Sequence, residues 1–284
     1  MHHARARALR TRLDALLATR DPAEARAADP VKYVHRFADP ADQEVVGFLA
    51  SSLAFGNVVA VRASIERALA ALGPAPARAI EGGESELTRA LEGFVHRVYR
   101  GPHLARALAG LGALRREHGS VGERLAELTE RHGFREGLAQ LADAIRGGAT
   151  AERGLRHLVP DPRAGSACKR LLLYCRWMTR PADGVDLGLW PLAPAALVMP
   201  VDTHVHRIAQ NLGLTARKDA SWRTAEEITA ALRHLDGDDP VKYDFALCHL
   251  GVSRACPSRR DPDKCRACVL RPVCRQWKRP RGSA

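Results

Sequence analysis

Four segments, "DQEVVGFLASSLAF" (42–55), "VVAVRASIERALAAL" (58–72), "ELTRALEGFVHRVY" (86–99) and "TAEEITAALRHL" (224–235), repeat apolar residues three and four positions apart. That spacing lines one face of a helix, whereas a half-buried strand needs a period of two, and such alternation of Val, Ile and Thr is nearly absent here. The chain is therefore expected to be all-α. Turn-forming clusters interrupt the pattern, most strongly at "VPDPRAGS" (159–166) and "RPADGVDLGLWPLAP" (180–194). "DPVKY" occurs twice, at 29–33 and 239–243. Asp followed by Pro is a common helix entry, so the pair reads as coincidence and not as a solenoid repeat. With 284 residues, a core can be buried without disulfides, in one large domain or two modest ones.

The charge balance narrows the partner. Lys and Arg number 44 against 32 Asp and Glu, a formal charge of +12, which favours a polyanion such as nucleic acid. The longest uncharged stretch, "LGLWPLAPAALVMPV" (187–201), is too short and proline-rich to span a bilayer. The N-terminal "MHHARARALRTRLDALLATR" reads as a basic amphipathic helix without the apolar run of a signal peptide. The expectation is a cytoplasmic, nucleoid-associated monomer with no membrane contact.

Seven cysteines, four of them crowded near the C-terminus, suit a reducing compartment and a metal site better than a disulfide framework. Cys256, Cys265, Cys268 and Cys274 form C-x8-C-x2-C-x5-C. Four thiolates on a short loop suit tetrahedral zinc or a [4Fe-4S] cluster. A lone CxxC between unequal arms, unlike the paired knuckles of zinc ribbons, favours the cluster. Cys168, Cys175 and Cys248 lie in apolar helical contexts and read as small core residues.

"MPVDTHVHRIAQNLGL" (199–214), "FALCHLGVSRAC" (245–256) and the four cysteines together resemble the C-terminal half of the endonuclease III-like helix-hairpin-helix DNA glycosylases. The chain as a whole also resembles a bacterial family described as of unknown function. The glycosylase resemblance implies a two-domain fold with a C-terminal iron-sulfur loop at 256–274. A helical barrel would span 41–194, with a degenerate helix-hairpin-helix, and a cluster domain would combine 1–40 with 195–284. It implies double-stranded DNA holding a damaged base as partner. It gives Asp202 as the catalytic carboxylate, Lys169 in "LVPDPRAGSACKRLLLYCRWM" (158–178) as the catalytic amine, and Gly165 as part of a DNA-binding hairpin. The first cysteine loop is two residues longer than the family's and keeps Arg259, Arg260 and Lys264 for phosphate contact. The turn at 51–57 matches the family's wedge, which fills the gap left by a flipped nucleotide, with Asn57 the first candidate and Phe55 the second. Phe55, Tyr174 and Trp177, with Met178 and Trp190, are candidates for lining a base pocket. Lys169 and Asp202 lie 33 residues apart, a separation similar to that in archaeal 8-oxoguanine glycosylases.

The chemistry of the residues agrees with that resemblance. Base excision needs a nucleophile at the sugar C1′ and a carboxylate to steady the oxocarbenium-like charge. "KRLLLYCRWM" reads as a buried helix, and burial favours the neutral, nucleophilic form of an amine, a role closed to arginine. An attacking amine would form a Schiff base, so lyase activity would accompany glycosylase activity. The implied reading is a DNA repair glycosylase that flips a damaged base, with a tilt toward an oxidised purine such as 8-oxoguanine. A non-catalytic DNA-binding or redox-sensing cluster protein on the same fold is the alternative. A metal-dependent hydrolase using Asp202, His204 and His206 is more remote, because residues two apart diverge on a helix and the strands of a barrel are missing.

Overall fold

The computed structural model describes residues 3–148, 151–253 and 255–278. The chain is mostly helical and divides into two compact units at Asp21/Pro22 and Ala193/Pro194. Helix α1 (His3–Ala18) belongs to the smaller unit, which resumes at Pro194. Among the described residues no helix is long and apolar enough to cross a membrane.

The larger unit holds α2 (Pro22–Ala28), α3 (Pro40–Leu53), α4 (Val58–Leu72), α5 (Pro76–Ala79), α6 (Gly83–Ala90), α7 (Gly101–His118), α8 (Val121–His132), α9 (Phe134–Arg146), α10 (Arg153–Leu158) and α11 (Lys169–Thr179). Its centre is α3, buried almost all round, which accepts α11 along its length. Gly47 permits that approach, since a Cβ there would strike the Met178 methyl and the Tyr174 ring. Charged groups lie in this core, Glu44 on α3 and the Arg176–Asp186 pair after it among them. The Glu44 carboxylate pairs with Arg115 and accepts from the Val121 and Gly122 amides (3.0 and 3.2 Å) and from Trp190 Nε1 (2.8 Å). It thus caps α8 from α3 and anchors the loop after α11, and the burial is tolerable because both oxygens are satisfied.

Two readings need correction here. Residues 22–40 belong to the larger compact unit. The 3-10 helix Pro30–Arg36 lies on α3, and the His35 ring bonds the Val185 carbonyl at 2.8 Å. "ELTRALEGFVHRVY" is not helical throughout. Gly93 takes φ +68, and Val95–His96 (β1) pairs antiparallel with Tyr99–Arg100 (β2) through a turn at Arg97, itself at φ +55. Phe94, His96 and Tyr99 are buried while Val95, Arg97 and Val98 are exposed. Local turn chemistry overrode the helical period.

In the smaller unit, α12 (Thr203–Leu212), α13 (Trp222–Arg233), α14 (Asp244–Val252), α15 (Pro262–Arg266) and α16 (Arg275–Lys278) gather with α1. The α12 stripe of Val205, Ile208, Ala209 and Leu212 is buried. Gly213, left-handed, ends that helix where a Cβ would meet Arg275. Tyr243 donates to Asp14 at 2.6 Å and ties α1 to the start of α14.

Candidate functional site

Asp202 is the N-cap of α12. Its Oδ1 accepts from the His204 and Val205 amides at 2.9 and 2.8 Å, and its Oδ2 accepts from the Cys248 thiol at 3.6 Å. The aspartate is half-buried. Amide donors at a helix start hold the oxygens of a capping side chain in place. Gly251 brings α14 that close, since a Cβ there would overlap the His204 side chain.

His204 and His206 do not join Asp202 in a metal triad. The His206 ring bonds the Arg217 carbonyl at 3.0 Å, the Asp202 oxygens are taken, and among the described residues no group of three or more His, Cys, Asp and Glu stands ready to hold a metal ion. The hydrolase reading loses its geometric basis, for the reason the helical period implies.

The four C-terminal cysteines face one apolar pocket. Cys256, Cys265, Cys268 and Cys274 line it with Ile208, Leu212, Leu250, Leu270 and Trp277. Burial first, and then the proximity of the other three sulfurs, push the Cys256 thiol above its ordinary range, against a lowering influence from Arg207. Burial raises Cys268 likewise, with Cys265 and Cys274 adding to it. The thiols thus share one pocket without forming a closed coordination sphere. As a donor set, four soft ligands in an apolar enclosure fit zinc or an iron-sulfur cluster. Within the loop, Arg259 and Lys264 are exposed. Arg260 is half-buried, its guanidinium 4.2 Å from the Trp277 ring centroid, with Arg271 at 5.5 Å. Arg260 is thus packed on Trp277 through a cation–π contact.

In the larger unit, Lys169 opens α11 and is half-buried, although the helix is buried from Leu171 onward. Cys168, just before it, adopts φ 49, ψ 31. A left-handed conformation in a residue with a Cβ costs about 1–3 kcal/mol and concentrates at functional positions. Its thiol is pushed up to about 12 by burial, which disfavours the thiolate form. Gly165, in the turn between α10 and α11, is exposed at φ +84 with open space beside it.

The start of α11 meets the α3–α4 turn and the hairpin. The Arg170 guanidinium lies 4.7 Å from the Phe55 ring centroid and donates to the Tyr99 hydroxyl and the His157 carbonyl. The Phe55 ring packs edge-on against His96, Tyr99 and His157. Burial lowers the His96 pKa and lifts the Tyr99 hydroxyl to about 12. Asn57 is exposed and caps α4, its Oδ1 accepting from Val59 (2.8 Å) and Ala60 (3.4 Å). Phe55 is thus held, half-buried, in a ring cluster. Tyr174 and Trp177, two other base-pocket candidates, are core residues. They are 1% and 0% exposed, in the core between α3 and α11, with Tyr174 edge-on to Phe48 and Trp190.

The sequence reading missed the hairpin. Arg97 closes over Gly56, and Arg67 donates to the Val95 carbonyl at 2.7 Å. Val58 and Val59 at the start of α4 and Val98 in the hairpin turn are exposed by 50%, 71% and 57%. A signal existed, since Val58 and Val59 lie outside the Val61, Ile65, Ala68, Leu69, Leu72 stripe. No curated protein and no solved structure matches the chain. A family model matches residues 29–253, well over half of its length. On that match the chain belongs to the family described as protein of unknown function (DUF2400).

Proposed function

We propose that this protein is a DNA repair glycosylase with associated lyase activity, acting on double-stranded DNA that holds a damaged base, with an oxidised purine such as 8-oxoguanine the favoured lesion. The observation that carries the reading is the Asp202 carboxylate, fixed by three donors at the head of α12. Such a carboxylate is preorganised to balance positive charge on a sugar as its base departs. Lys169 would supply the amine that attacks C1′. The C1′–N bond breaks as the new C1′–N bond to the amine forms, and the base leaves with its electron pair and takes up the proton that the amine gives up; the C1′–O4′ bond then opens, O4′ taking a proton, and the Schiff base so formed loses a C2′ proton and eliminates the 3′ phosphate.

Three further features support the reading. The formal charge of +12 favours a polyanion. The start of α4 exposes Val58 and Val59, and the hairpin exposes Val95 and Val98 together with Arg97 and Arg100, the mixture that minor-groove proteins use to unstack bases and neutralise phosphates. Arg259 and Lys264 are exposed on the cysteine loop. The same residues Cys256, Cys265, Cys268 and Cys274 would hold a [4Fe-4S] cluster, or zinc, which would cross-link the C-terminal loop.

Borohydride trapping on duplexes carrying single lesions tests this function. The expected result is a covalent adduct on at least one lesion that disappears in Lys169→Ala. Base release without an adduct would remove the lyase step, and DNA binding without base release would leave the non-catalytic reading.

A further inference from the structure

Cys248 lies within the "FALCHLGVSRAC" segment but outside the four-cysteine pocket, and the proposed reaction gives it no role. It sits on α14, three residues before Gly251, and is half-buried. Gly251 presses against the His204 side chain, two residues after Asp202. The close crossing of α12 and α14 at Gly251 therefore delivers the Cys248 thiol to Asp202 Oδ2 at 3.6 Å. The cap amides occupy Oδ1 alone, which leaves rotation of the far oxygen to whatever meets it from α14.

We infer that Cys248 is a positioning residue for Asp202, its thiol holding the carboxylate oxygen that the helix cap leaves over. The chemistry of the donor suits the task. An S–H group is a weak donor, so it orients the oxygen without competing strongly for the negative charge that the proposed reaction uses. A serine hydroxyl or an amide in that place would bind the same charge more tightly. The inference rests on the glycosylase reading for its consequence, but the contact itself is independent of that reading.

Two measurements on the full-length protein separate these. The first is the infrared S–H stretching band of Cys248, isolated as the difference between wild type and Cys248→Ala. Asp202→Asn keeps the cap, since asparagine is as good an N-cap as aspartate. Its amide oxygen must then face the helix, which turns its NH2 toward the thiol and removes the acceptor. The Cys248 band is expected at lower frequency in wild type than in Asp202→Asn. An identical band in the two proteins would overturn the inference whatever the activity.

The second is single-turnover base release from a duplex bearing one 8-oxoguanine, or the best substrate of a single-lesion panel. Cys248→Val, which fills the space without a donor, is expected to slow release by about 2- to 10-fold, the loss of one weak thiol hydrogen bond to the carboxylate. DNA affinity and thermal midpoint should remain near wild type, and Cys248→Ser should recover much of the rate. Equal rates in wild type and Cys248→Val, with the band shift present, would reduce the contact to packing and overturn the positioning role. A panel with no base release removes the glycosylase reading, and the infrared comparison then decides the contact alone.

Discussion

Arg170 lies over Phe55, its guanidinium carbon 4.7 Å from the ring centroid, and so joins the first turn of α11 to the turn between α3 and α4. Two segments more than a hundred residues apart in sequence become one surface, and the residue that follows Lys169 is the joint. Phe55→Ala should remove an aromatic hub shared by His96, Tyr99 and His157. Because Phe55 is only half-buried, the expected loss is about 1–3 kcal/mol in urea unfolding, below the usual cost for a fully buried phenylalanine.

Glu44 offers a sharper test of the core. Glu44→Ala would strand Arg115, two amides and Trp190 Nε1 in a site where the carboxylate side chain is 3% exposed. Removing one partner of such a buried network costs about 3–5 kcal/mol. Chemical denaturation should show that loss, with a much smaller one for Glu66→Ala, whose ion pair with Arg36 is half exposed.

A pH dependence follows from His96. Burial lowers its pKa below the ordinary value of 6.5, so in the folded chain it stays neutral while the unfolded chain takes up a proton first. The unfolded state then binds more protons as pH falls, and stability present above pH 6.5 is lost below it, through the lowered folded value. Thermal unfolding followed between about pH 7.5 and about pH 5.5 should show this decline, and His96→Asn should flatten it. An equal slope in the variant would assign the decline to other groups.

The cysteine pocket predicts a bound metal. Protein purified without air should carry iron with the broad visible absorbance of a [4Fe-4S] cluster, or zinc without colour. Cys268→Ala should abolish either, whereas Cys175→Ala, in the core of the larger unit, should leave the metal content unchanged. Chelation should lower the melting temperature, because a ligand bound only by the native state stabilises it.

Trp277 can be tested in the same preparations. Arg260 and Arg271 both stack on its ring, so Trp277→Ala should open the pocket and hasten metal loss to chelator. Arg259→Ala, at an exposed position, should leave that rate near wild type.

Much of the molecule was legible in the sequence for physical reasons that act over short distances. Helical periods predicted α3, α4 and α13, because the apolar stripe and the local caps act within a few turns. Asp202 was readable as a cap, since Asp before an apolar stripe leaves few other roles. The hairpin at 95–100 was not readable by the same rule, because positive φ at Gly93 and Arg97 outweighs a weak helical pattern.

Only tertiary structure could decide what each side chain meets. Tyr174 and Trp177 carry the same aromatic signal as Phe55, yet packing of α11 on α3 buries them while Phe55 gathers histidines and arginine at a turn. Arg260 and Arg259 are adjacent and alike in charge, and the fold sends one onto Trp277 and the other into solvent. Cys248 looked like any small apolar residue until Gly251 let α14 approach α12. Sequence alone determined which segments are helices and where charge and thiols concentrate, because those properties follow from local composition. The contacts that define a site were set by long-range packing, in which one glycine or one buried carboxylate selects the neighbours of residues far from it in the chain.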